Sequence, residues 1–95
     1  LQAKDGTTAL YMASQNGHAT VVQTLLDKGA KIDLQAKNGI TALIVASYMG
    51  HQRIVKALLA EGANTRLRKN GGGTALKYAK KEKIKEMLRA AGATE

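Results

Sequence analysis

Apolar and small side chains recur along this chain in short runs at helical spacing, and a glycine closes almost every run. Leu10, Ala13 and Ser14 stand at i, i+3 and i+4, the spacing that lines one face of a helix, and Leu43, Ala46 and Ser47 repeat it. Gly17 and Gly50 follow, and glycine enters the left-handed conformation without strain, so each predicted helix stops after about two turns. A second helix starts at once. Val21, Val22, Leu25 and Leu26 keep the same spacing, as do Ile54, Val55, Leu58 and Leu59, with Gly29 and Gly62 as the stops. Thr8 and Thr41 come just after the turn dipeptides Asp5-Gly6 and Asn38-Gly39, where a threonine oxygen can accept a backbone N–H from the first helical turn. The predicted unit is a pair of short helices carried on an extended, turn-containing finger.

The pattern is periodic. Leu1-Gln2-Ala3-Lys4, Leu34-Gln35-Ala36-Lys37 and Leu67-Arg68-Lys69-Asn70 open three segments at an interval of 33 residues. The first two segments, 1–33 and 34–66, align without a gap and match at about half of their positions. Most of the matches are glycines, small residues and apolar residues, the types that turns and close packing require. Surface positions between them drift. In the third segment, 67–95, Ile84 and Leu88 align with Ile54 and Leu58 at an offset of 30, so three residues have been lost, the Gly-His turn among them. Its two helices are expected to be fused or tightly joined. Lys85 and Arg89 replace apolar Val55 and Leu59, which suits a last unit whose outer face meets water. No comparable polar cap precedes Leu1. The chain reads as a piece of a longer protein with a stacking face exposed around Leu1–Val22, a face that can support self-association.

These residues resemble the ankyrin repeat, a 33-residue unit whose first helix opens on T-P-L-H-x-A. The motif appears as Thr8-Ala9-Leu10-Tyr11-Met12-Ala13, Thr41-Ala42-Leu43-Ile44-Val45-Ala46 and Thr74-Ala75-Leu76-Lys77-Tyr78-Ala79. Two departures stand out. Alanine occupies the position where proline would pre-organise the first turn, and Tyr11, Ile44 and Lys77 replace the motif histidine, whose bond to the neighbouring loop is then missing. Looser fingers are expected on the same fold. The resemblance implies an all-α solenoid of stacked helix-turn-helix pairs with β-hairpin-like fingers, in one domain over residues 1–95. It also implies a non-catalytic module that binds proteins on a concave surface of finger tips and first helices. On this sequence those positions are Lys4, Asp5, Thr7, Tyr11, Gln15 and Asn16; Lys37, Asn38, Ile40, Ile44, Tyr48 and Met49; and Asn70, Lys77 and Lys80. Ile40, Tyr48 and Met49 would expose apolar area among polar neighbours, and aromatic and methionine side chains are enriched at interface cores. Tyr48 and Met49 are the expected anchors. Lys4, Lys37, Lys77 and Lys80 would select an acidic protein surface.

Charge adds a rival. The chain carries a net charge of +8, and residues 67–95 hold eight Lys or Arg against three Glu, which raises binding of nucleic acid or another polyanion through the C-terminal unit. Glu82 and Glu86 interrupt the lysines, and three tyrosines are the whole aromatic complement, so a single strand would find few stacking platforms. A solvated capping helix is the simpler reading. A purely structural role, as the end segment of a longer solenoid, is the third.

Enzymatic constellations fail one by one. His18 and His51 sit in identical Gly-His contexts one unit apart, which points to turn structure and not to a shared metal. Gly71-Gly72-Gly73 lacks the following Lys-Thr/Ser of a phosphate-cradling loop and aligns with a finger tip. There is no cysteine, hence no thiol chemistry or disulfide framework, and no serine or threonine has an independent histidine and carboxylate partner. No cofactor is expected. No apolar run approaches the roughly 18 residues of a membrane span, and the compartment stays open.

Overall fold

The computed structural model describes residues 7–36 and 38–94, without the side chains of Thr7 and Thr8. Among the described residues six helices follow in order: α1 (Thr7–Asn16), α2 (Ala19–Asp27), α3 (Ala42–Met49), α4 (Gln52–Ala60), α5 (Ala75–Tyr78) and α6 (Glu82–Ala90). They form two rows. The inner row stacks α1 on α3 and α3 on α5, the outer row stacks α2 on α4 and α4 on α6, and each unit pairs one helix of each row. Leu10, Leu43 and Leu76 are buried at one register position of the inner row, and Val22, Ile54, Val55, Leu58, Ile84 and Leu88 fill the space between rows.

The helix boundaries follow from local chemistry. Thr41 is extended, with φ −99° and ψ 171°, and its Oγ1 accepts the Ile44 N–H at 3.1 Å, closing one of the donors a helix start leaves open. Thr74 has the same backbone but no such bond; its hydroxyl instead donates to the Thr94 carbonyl at 3.4 Å. The second helices end alike. Gly29, Gly62 and Gly92 take φ of 87°, 85° and 93°, while the N–H groups of Ala30, Ala63 and Ala93 reach back to the carbonyls of Leu25, Leu58 and Leu88. That is the Schellman stop, and it accounts for the recurring Leu-x-x-x-Gly-Ala ending. In the third unit the helices are joined, not fused: residues 79–81 connect them, with Ala79 extended at φ −64° and ψ 130°.

The turns between helices also tie one unit to the next. His51 Nε2 donates to the Gln15 carbonyl at 2.9 Å, and a Cβ on Gly17 would come within 2.9 Å of the His51 ring. Lys81, aligned with His51, donates its ammonium to the Gly50 carbonyl at 2.9 Å and leaves only 2.8 Å between its Cε and a Cβ placed on Gly50. Both glycines are thus required twice, once by positive φ and once by close approach. His51 therefore serves more than its own turn, since it fastens the second unit to the first.

The fingers are hairpin-like turns, and no strand is present among the described residues. Ala36 N–H bonds the Ile40 carbonyl at 2.9 Å, and Lys69 N–H bonds that of Gly73 at 3.0 Å. Neighbouring fingers are linked through Asn70 N–H to the Asn38 carbonyl at 2.8 Å and through Gln35 Nε2 to the Arg68 carbonyl at 3.1 Å. Tyr78 supplies a local substitute for the missing histidine bond, its hydroxyl accepting the Gly73 N–H at 3.1 Å. Among the described residues no helix is long and apolar enough to cross a membrane.

Two substitutions test this packing. Leu58→Ala opens a cavity at the centre of the core and should cost about 2–5 kcal/mol. Ser47 is fully buried with a hydroxyl that has no hydrogen-bond partner, so Ser47→Ala should stabilise the fold by about 0.5–1 kcal/mol through relief of that group and better helix propensity. Urea unfolding followed by circular dichroism reads both; a lowered midpoint for Ser47→Ala contradicts the packing described.

Candidate functional site

The inner helices and fingers present the face on which the candidate binding residues were placed. Lys4, Asp5 and Lys37 lie outside the described residues, and Thr7 enters only as the first backbone position of α1. Tyr11 and Gln15 are half-buried, the Gln15 carbonyl being held by His51, and Asn16 is exposed at the end of α1. Asn38 and Asn70 meet across the two fingers, and the Asn38 side chain also accepts the Ile40 N–H at 3.2 Å. Lys77 is exposed, with its stem lying over Gly73.

Ile44 requires a correction. It stands at the motif-histidine position but is only 3% exposed, because α3 is covered from both sides by α1 and α5. It reaches the surface solely as the floor of a groove. That groove, of about 290 Å³, is lined by Ile40, Ile44, Val45, Tyr48, Lys69 and Tyr78, drawn from two units. Three expected residues are therefore brought together, and three others join them. Val45 and Tyr78 occupy the same motif position one unit apart, a signal present in the alignment, whereas nothing in the sequence distinguishes Lys69 from its neighbour Asn70.

Tyr48 and Met49 part company. Both are about half exposed, at 47% and 46%, but successive helical residues point about 100° apart, and only Tyr48 lines the groove. The Tyr48 ring also carries a cation. Lys80 Nζ lies 4.3 Å from the ring centroid, inside the range of roughly 6 Å over which a cation is drawn to an aromatic face.

The basic run of the third unit is divided by the fold. Lys80 turns to the inner face, Lys81 is bonded to Gly50, Lys85 is half-buried, and Arg89 pairs with Glu82 at 3.7 Å. That last pair is exposed on both sides and so adds little stability. Described carboxylates keep to the other row: Asp27, Glu61, Glu82 and Glu86 stand on or at the end of outer helices, and Asp33, in the loop leaving α2, accepts the Asn64 N–H at 2.8 Å. No described inner helix or finger carries an acidic side chain. A second hollow, of about 580 Å³, runs along the helix-to-helix turns past His18, His51, Arg53 and Lys81, around the bonds that join the units.

The structure thus holds three stacked helix pairs with linked fingers, glycine-stopped turns and a groove on the finger side. The family model described as Ankyrin repeats (3 copies) matches residues 10–93. Comparison with the curated proteins gives no match. Repeats of this kind are generally non-catalytic and act as modules for protein–protein interaction. With the period, the capped helices and the family match in agreement over nearly the whole chain, it belongs to the ankyrin repeat family.

Proposed function

We propose that this chain binds a protein partner across its fingers and inner helices, with the groove between the second and third units at the centre of the contact. The observation that carries this reading is Tyr48, an aromatic side chain left half exposed in the last turn of a helix whose first six residues are buried. A rigid base beneath an amphipathic ring limits the ordering cost of association, and such residues are over-represented among those that dominate binding energy. The polyanion reading loses ground because the basic run of the third unit is divided: Lys80 stands over the Tyr48 ring, Lys81 is bonded to the Gly50 carbonyl and Arg89 pairs with Glu82, so these three cations do not form one stripe. Affinity capture from nuclease-treated lysate, at moderate and at high salt, is the test. A protein should be retained at both salts, and the double variant Tyr48→Ala, Met49→Ala should lose it while remaining folded. Of the single variants, Tyr48→Ala should account for most of the loss, about tenfold or more in affinity. Undiminished binding by the double variant removes these anchors, and recovery of salt-labile, nuclease-sensitive material alone returns the polyanion reading.

A second reading, self-association through the end face of the first unit, is favoured by one comparison. Met12 and Val21 are 48% and 47% exposed, whereas Val45 and Ile54, at the same positions one unit later on helices that lie between two neighbours, are 6% and 1% exposed. Sedimentation should then show mass rising with protein concentration, and Val21→Lys should abolish the rise. A single monomeric species over the whole concentration range sinks this reading.

A further inference from the structure

We infer that the groove between the second and third units takes one apolar side chain from an acidic protein segment, an aliphatic or aromatic residue with Asp or Glu within two positions of it. The inference rests on the protein-binding reading above and specifies the partner's chemistry.

The groove is apolar where it is deep. Ile44 and Val45 are buried beneath it, Ile40 packs against the core from the finger side, and Tyr48 and Tyr78 supply aromatic area. Tyr78 is fixed by the bond from the Gly73 N–H to its hydroxyl, so its ring is held in place before any partner arrives. A volume of about 290 Å³ is at the small end of ligand sites, which suits one inserted side chain. A polar group placed there would lose water without gaining a partner, at a cost in free energy.

The surroundings are cationic. Lys69 belongs to the lining, and Lys80 is drawn over the Tyr48 ring, so its ammonium is already ordered when a carboxylate approaches beside that ring. A charge-assisted bond to it is stronger than a neutral one. Lys77 extends the same sign along the inner row, and the described carboxylates lie on the outer helices or in the loop leaving α2, where they do not neutralise these lysines. A basic segment would meet like charge here, whereas an acidic one carrying an apolar residue matches both parts of the site.

The test uses the full 95-residue chain, isotopically labelled for amide NMR, and four probes. The first is a synthetic peptide with one leucine between glutamate pairs. In the second that leucine is alanine, in the third the glutamates are glutamines, and the fourth is an oligothymidylate of the same length. The leucine-glutamate peptide should shift the amides of Ile40, Val45, Tyr48 and Tyr78 and bind about tenfold tighter than either altered peptide. Tyr48→Ala should weaken that peptide by about tenfold, and Lys80→Gln should weaken it while leaving the glutamine peptide unchanged. Both side chains are exposed, and circular dichroism confirms that the variants fold. Equal binding of the glutamine peptide, shifts confined to residues outside the groove, or stronger response to the oligothymidylate overturns the inference. Should a captured protein depend on Tyr48 while no peptide engages the groove, the specific chemistry fails and the protein-binding reading stands.

Discussion

The burial of α3 is the constraint on which the rest of this molecule depends. Ala42 through Ser47 are buried without interruption, a pattern that a two-faced surface helix cannot produce. It arises because α1 and α5 cover α3 along the inner row while α4 closes it from behind. Burying apolar area on every side of one short helix supplies a core that no single helix pair has by itself. Only the last turn, with Tyr48 and Met49, escapes the sandwich, and the side chains that escape are those available to a partner.

Stacking is effective only in register, and the register is held by polar bonds at both ends of the helices. On one side His51 and Lys81 each reach back to a carbonyl of the preceding unit, over glycines that leave room for them. On the other, Gln35 and the Asn38–Asn70 bond join the fingers. The groove takes its walls from two units, so a slip at either end would separate Ile40 and Tyr48 from Lys69 and Tyr78. Fold and site are therefore stabilised by the same contacts.

Lysine in the third unit shows how one residue type is given different work by position. Lys80 is drawn to an aromatic ring on the inner face, Lys81 replaces a histidine as the fastener between units, and Lys85 lies half-buried where the middle unit carries a valine. A linear count of charge merges these roles. Their separation leaves the inner row positive and assigns the described carboxylates to the outer helices and the loop leaving α2, an asymmetry that follows from which face each position occupies.

Local chemistry made much of the architecture legible in advance. The glycine stops, the Thr41 cap and the helical spacing each depend on residues within a few positions of one another, the 33-residue interval is their recurrence, and each is found where the sequence placed it. The role of Ile44 was not legible, because its exposure depends on α1 and α5, which lie about thirty residues away on either side. The groove escaped for the same reason: Val45 and Tyr78 share a motif position, but only the stacking distance turns one into floor and the other into wall. Lys80 and Tyr48 were both singled out, yet nothing in a linear order of residues shows that one rests on the other. The sequence by itself determined the unit, its period and its turns, since those obey short-range sterics and hydrogen bonding. Tertiary structure alone decided which apolar residues remain for a partner, because exposure is a property of what the neighbouring unit covers.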